Sequence, residues 1–406
     1  MKLQVINKIK KRIKYYFRKN KQISLVFLCN RPAVWGSLKT VLESCVKDNH
    51  FNVTFIAMPS KKQLPEIVFN HDIYESEGAE NFFKNLPCKV INGYDYERKT
   101  WFDIKKLKPN YIFYQRPYNA TIPPQYNSKV TSSYAKILYV PYFTNFIGGC
   151  VFESCYNHDF FRHTYQIFID SIYSKKELDR WFSTLRKKPE TIVTGYPKYD
   201  NIDKLKDIDS DNWNFPKTKN VKRVIWTPRW CTDEGNCHFF DYKDKLLDFV
   251  EKSNDIDFIF RPHPQAFLEW NATGELPEVE AEKYKEKYNI LPNAKIDTQK
   301  EYLTTFYSSD IMISDMSSVV AEYFLTGKPI IYCHKKDCFN DFSRALSEGF
   351  YWVHNWEELE KTINMLKCGN DPLKEKRQEI IEREFYLPKQ GAGFTIKELI
   401  KRDFYG

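Results

Sequence analysis

From residue 23 onward, short apolar runs alternate with segments whose apolar residues recur three and four apart. ISLVFL (23–28) is the first run, apolar except at Ser24, the pattern of a strand buried on both faces. A polar turn, NRPAVWGS, leads into SLKTVLESCVKD, where Leu38, Val41, Leu42 and Cys45 share one helical face. NVTFIAMP (52–59) reads as the next strand, ESEGAENFFKNL as a helix and CKVI as a strand. YIFYQRPY (111–118), AKILYVPY (135–142), QIFID (166–170) and TIVTGYP (191–197) extend the series. Strands that alternate with helices predict a parallel, doubly wound sheet.

Asp203 to Asn220 is mostly polar and shows no clear period, which places a domain boundary there. A second alternating set follows: VKRVIWTPRW (221–230), DFIFRPHPQ (257–265), AKID (294–297), DIMISD (310–315) and PIIYCH (329–334), with helical segments such as YKDKLLDFVEK and EELEKTINMLK. GFTIKELIKRDF closes the sequence as a helix. The expected division is an N-terminal Rossmann-like domain over 23–212, a C-terminal Rossmann-like domain over 213–385, and a helix over 386–406. Two such domains in series are expected to face a cleft, with ligands outside the carboxyl ends of the strands.

Charge adds one element. Residues 1–22 hold nine Lys and Arg and no acid, which leaves 62 − 9 = 53 basic residues against 53 acidic ones elsewhere, so the net +9 resides in this arm. Val5 or Ile6, Ile9, Ile13 and Tyr16 or Phe17 would form an apolar stripe on a helix, the pattern of an amphipathic segment lying on an anionic membrane surface. A solvated tail or a nucleic-acid arm is the rival reading, but the stripe does nothing for a purely electrostatic partner. No nucleic-acid partner is expected. No stretch approaches 18 consecutive apolar residues and no signal core opens the chain, so the expected location is the cytoplasm, peripheral on the inner face of the cell membrane.

The ten cysteines include no CxxC pair. Cys231, Cys237, His238, Cys333, His334 and Cys338 match no metal-ligand spacing, so neither a metal site nor a required cofactor is expected.

Candidate chemistry collects where C-domain strands end: Thr227, Arg229 and Trp230; Arg261, His263 and Gln265; Asp315, Ser317 and Ser318. Cations, hydroxyls and a helix start suit a phosphate ester. Asp315 or Ser314 can cap the helix that follows, whose first turn offers N–H groups and the hydroxyls of Ser317 and Ser318 to an anion. Glu322, one turn on, can accept from ribose hydroxyls. Pro262 and Pro264 stiffen the backbone around His263, and Arg261 offers a fork for a diphosphate. Each feature also has a plain structural reading: an ordinary helix cap, a packed tryptophan, a surface histidine. His158, His163 and His263 itself are candidate bases for an acceptor hydroxyl, and His158 and His163 also read as satisfied surface histidines.

GYPKYDN, TPRW, RPHP, SDMSSVVAEYFLTGKPIIY and the closing FYLPKQGAGFTIKELI together resemble the CDP-glycerol glycerophosphotransferase family, which includes teichoic acid primases and polymerases and related capsule enzymes. The resemblance covers about residues 190–400, and the combination is more specific than any piece. It implies a glycosyltransferase B-type fold, a CDP-alditol donor such as CDP-glycerol bound mainly by the C-domain, and a lipid-linked glycan or growing polymer as acceptor. His263 and the Ser317–Ser318 turn would then contact the donor diphosphate. Better-known members carry a base histidine in a WHGT-like segment; here YVPYFTN stands in that place, without a histidine. Rival readings are a nucleotide-sugar glycosyltransferase of the same fold and a non-catalytic nucleotide-binding adaptor at the membrane.

Overall fold

The structure is a computed structural model that describes residues 20–61, 74–76, 78–144, 146, 150–217, 220–299 and 301–406. It divides into two compact units. Unit 1 is built on seven parallel strands, β1 (Ile23–Cys29), β2 (Phe51–Ala57), β3 (Lys89–Asn92), β4 (Tyr111–Tyr114), β5 (Lys136–Tyr139), β6 (Gln166–Ile169) and β7 (Glu190–Val193). Their order across the sheet is β3-β2-β1-β4-β5-β6-β7. β1 lies between β2, with Ile23 opposite Phe51, and β4, with Leu25 opposite Tyr111. Both neighbours are buried, which is why β1 is an almost unbroken apolar run. Helix α1 (Gly36–Val46) buries Leu38, Val41, Leu42 and Cys45, the face its spacing predicts.

Unit 2 repeats the plan with six parallel strands, β8 (Lys222–Thr227), β9 (Ile256–Phe260), β10 (Ala294–Ile296), β11 (Ile311–Ser314), β12 (Ile330–Cys333) and β13 (Tyr351–Val353), in the order β10-β9-β8-β11-β12-β13. Its core is aromatic. Phe239 of helix α2 (Phe239–Glu251) stacks on Trp270 at 4.0 Å and on Phe260 at 5.6 Å, with Trp226 and Tyr284 closing around them. A ring of this kind, once buried, stabilises by about 1.5–3 kcal/mol. β13 escapes the sequence reading because it is only three residues long, at the sheet edge with a half-exposed Trp352. Helix α3 (Val319–Phe324) follows β11.

The division falls after Asn201 rather than after residue 212. The polar stretch taken for a linker is held by unit 2: Ser210 Oγ shares a hydrogen bond with Thr305 at 3.1 Å, Trp213 Nε1 donates to Ser308 Oγ at 2.8 Å, and Asp209 pairs with Arg223. Residues 386–406, expected as a separate terminal helix, group with unit 1, and Thr144–Phe152 groups with unit 2. The terminal helix, α4 (Ala392–Tyr405), meets α1 so closely that a Cβ on Gly393 would lie 2.4 Å from the Thr40 carbonyl carbon. Asp200 accepts from the N–H of Ala392 and of Gly393, and the Asp403 carboxylate gathers Tyr111, Lys136 and Tyr165 from the amino ends of three strands.

The expected membrane arm, residues 1–22, lies almost wholly outside the described residues. Among the described residues no helix is long and apolar enough to cross a membrane.

Candidate functional site

In unit 2 the strand order reverses between β8 and β11. Loops leaving the two strands at such a reversal turn to opposite faces and open a crevice at the carboxyl edge. The loops that emerge there are TPRW and SDMSS, with RPHP one strand away on β9.

Asp315, 1% exposed, ties two of these segments together: its carboxylate accepts the N–H of Arg229 at 2.6 Å and of His238 at 3.1 Å. The His238 ring, also buried, places Nδ1 3.5 Å from the same carboxylate and stacks on Tyr242. Asp315 therefore holds the turn and does not cap α3. Ser314 does not cap it either, since its Oγ donates to the Thr227 carbonyl at 2.8 Å and accepts from Thr227 Oγ1 at 2.9 Å. The N-cap position is Ser318, with no side-chain cap bond, and Ser317 and Ser318 are half-buried at the mouth. Thr227 faces inward and is spent on Ser314.

The two arginines are already paired. Arg229 makes a two-point contact with Glu234, at 2.7 and 2.8 Å. Arg261 pairs with Asp297, donates to the Gln299 carbonyl at 2.7 Å and lies 4.5 Å over the Tyr302 ring. Tyr302 in turn donates to Glu322 at 2.7 Å. Glu322 is buried and serves this chain from RPHP to α3, a different position from the open ribose contact expected of it. A diphosphate here would share guanidiniums that the fold holds rigid. Such pairing fixes the geometry of the fork and lowers the local positive charge.

His263 is exposed, and its ring lies 5.6 Å from Trp230 at 24°, which joins the RPHP and TPRW exits. Its Nδ1 accepts the Gln265 N–H at 3.2 Å, so the neutral ring carries its hydrogen on Nε2 and can donate it.

His158 and His163 belong to unit 1. His158 packs on Trp181 at 4.9 Å and Phe182 at 6.0 Å. His163 lies in the turn leading into the amino end of β6, the edge opposite the strand exits, and burial lowers its basicity. Glu234, His238, Asp297 and Tyr302 were not identified as site residues from sequence. The helix start after His238 and the strand exit before Asp297 were the only signals available. Among the described residues no three His, Cys, Asp or Glu side chains are grouped to hold a metal ion.

Residues 161–352 match the family model described as CDP-Glycerol:Poly(glycerophosphate) glycerophosphotransferase, a span that contains all three loops. The chain is 24% identical over 382 residues to the minor teichoic acid biosynthesis protein GgaB of Bacillus subtilis (strain 168), covering 80% of this chain and 38% of that protein. The chain thus spans well under half the length of this curated relative. A structure of the wall teichoic acid polymerase TagF aligns with a TM-score of 0.58 at 16% identity, over 99% of this chain and 96% of that one. A TagF variant soaked with CDPG aligns at 0.55 and 15% identity, over 98% of each. UDP-GlcNAc 2-epimerase from Neisseria meningitidis, bound to UDP-GlcNAc, aligns at 0.57 and 14% identity, over 95% of this chain and 100% of that one. The matched family is the one the motifs resemble, and the structural likenesses support the expected fold of two Rossmann-like units.

Proposed function

We propose that this chain, whose residues 161–352 match the glycerophosphotransferase family model, moves an alditol phosphate from a CDP-alditol to a hydroxyl of a cell-surface glycan or polymer and releases CMP. The observation that carries this reading is the convergence of TPRW, RPHP and SDMSS at the strand-order reversal of unit 2, inside the matched span. The donor's diphosphate lies at these exits, with Nε2–H of His263 and the hydroxyls of Ser317 and Ser318 as donors and Arg229 and Arg261 as fixed charges behind them. The acceptor oxygen bonds to the phosphorus that bears the alditol. The bond from that phosphorus to the bridging oxygen breaks, and the oxygen leaves with its electron pair on CMP. In a loose phosphoryl transition state the attacking hydroxyl keeps its proton until late and then gives it to water, so the protein's task is positioning and charge neutralisation. The basic arm, as an amphipathic helix on an anionic surface, would bring the chain to a lipid-linked acceptor at the inner membrane face.

Incubation with CDP-glycerol, CDP-ribitol and a panel of nucleotide sugars, with the released nucleotide identified, tests the reading. CMP from a CDP-alditol in the presence of acceptor is expected. Release of UDP from a nucleotide sugar instead would install the glycosyltransferase reading, and no release from any donor would leave the adaptor.

A further inference from the structure

Helix α4 has two unlike faces. Ala392, Gly393, Ile396, Ile400 and Phe404 are buried on the side that meets α1. The other side carries Phe394 and Leu399, both half-buried, which flank Glu398 and Arg402 along a groove of about 400 Å³. Charge there is largely spent, since Lys401 pairs with Asp48 at 2.9 Å and Lys397 with Glu398 at 2.8 Å. The outer surface of a single helix is convex, so a groove along it needs a second wall.

The start of the chain reaches this helix at a fixed point. Tyr405, in the last turn of α4, donates its hydroxyl to the Lys21 carbonyl at 2.8 Å. The Gln22 side-chain amide donates to the Asn49 carbonyl at 2.8 Å, and the Ile23 N–H to the His50 carbonyl at 2.7 Å. Residues 1–19 lead into that root, and α4 runs toward it too. Phe394 stands 405 − 394 = 11 residues before Tyr405, and Ile9 stands 20 − 9 = 11 residues before Asn20. In helices both distances are about 16 Å. The apolar stripe of the arm then matches the groove in register, with Ile9 level with Phe394 and Ile13 level with Leu399. Arg18 and Lys19 fall beside the C-terminal end of α4, where the helix dipole favours cations.

We propose that the outer groove of α4 is a seat for the chain's own arm, residues 1–19, and that the arm leaves it for an anionic lipid surface. The seat does not rest on the transferase reading; the exchange rests on the membrane role proposed for the arm. One apolar stripe cannot be covered twice, so the two positions exclude each other. Away from lipid, the groove shelters Ile9 and Ile13 from water.

The test digests the folded full chain with trypsin and follows trimming of the arm by N-terminal mass, beside a synthetic peptide of residues 1–22. Cleavage of a briefly opened segment tracks its open population. The arm of the full chain should therefore be cut about tenfold or more slower than the peptide. Leu399→Asp on α4 and Ile13→Asp in the arm should each speed trimming about tenfold, and the double variant little more. Ile13 belongs to the arm, so its effect does not require α4 to unfold. Arg402→Glu, which turns an opposing charge into an attracting one, should slow trimming. Trimming of the wild type at the peptide's rate, or of both single variants at the wild-type rate, overturns the seat. Protection that grows with protein concentration overturns it in favour of a second copy's arm. With vesicles containing phosphatidylglycerol, Leu399→Asp should float at a several-fold lower lipid concentration than the wild type. Equal flotation of the two overturns the exchange alone, and flotation of neither overturns the membrane role of the arm alone.

Discussion

Two backbone N–H groups, those of Arg229 and His238, depend on the carboxylate of Asp315. Asp315→Ala strands both in a buried setting, and at about 1–3 kcal/mol for each orphaned group the variant should lose roughly 2–6 kcal/mol in urea unfolding. A loss below about 0.5 kcal/mol would mean that Asp315 does not brace the turn. His263 acts differently: exposed and stacked on Trp230, it contributes little to stability. His263→Ala should lower kcat for CMP release by about 10²-fold or more while leaving unfolding nearly unchanged. At this scale RPHP and SDMSS were legible because prolines and turn residues punctuate strand ends. Their partners were not: Arg261 and Asp297 stand 36 residues apart, and no local spacing announces an ion pair formed by two separate strand exits.

Helix α4 is the element whose role differs most from its sequence reading. Its period identified it as a helix, but not the acidic residues that dock it. Burial alone would raise the carboxyl of Asp403, yet hydrogen bonds from Lys136, Tyr111 and Tyr165 outweigh that and hold it below the usual range. Asp48, also partly buried, is likewise held low by the His50 N–H and Lys401. Folded-state values below the unfolded ones mean that docking stability is complete above the ordinary carboxylate range, near pH 4, and is lost as the pH falls below it. Hydrogen exchange of residues 392–405 should therefore accelerate between about pH 4 and pH 2, ahead of the β8–β11 core. Asp403→Asn should cost about 1–3 kcal/mol at neutral pH and weaken that pH dependence. Exchange that is flat with pH would refute the acidic docking of α4.

For the whole molecule, the two alternating strand sets were legible as two parallel sheets, because strands buried on both faces must be apolar throughout. Strand order was not, since it depends on which side each crossover takes. The boundary was misplaced because Ser210 and Asn212 are polar yet buried, satisfied by hydrogen bonds that a polarity profile cannot register. The arm carries a prediction at this scale: removal of residues 1–22 should abolish flotation with anionic liposomes and leave CMP release from a soluble acceptor intact. Unchanged flotation would remove the arm from the proposal. Finally, unit 1 is written in pieces, with residues 202–385 of unit 2 inserted before its last helix. A ribosome therefore finishes every strand of unit 2 before it delivers α4, and until then the α1 backbone at Thr40 lacks the contact with Gly393. The insert can fold while its host waits, so a released chain that ends at residue 385 should protect unit 2 from protease and leave unit 1 open to cleavage.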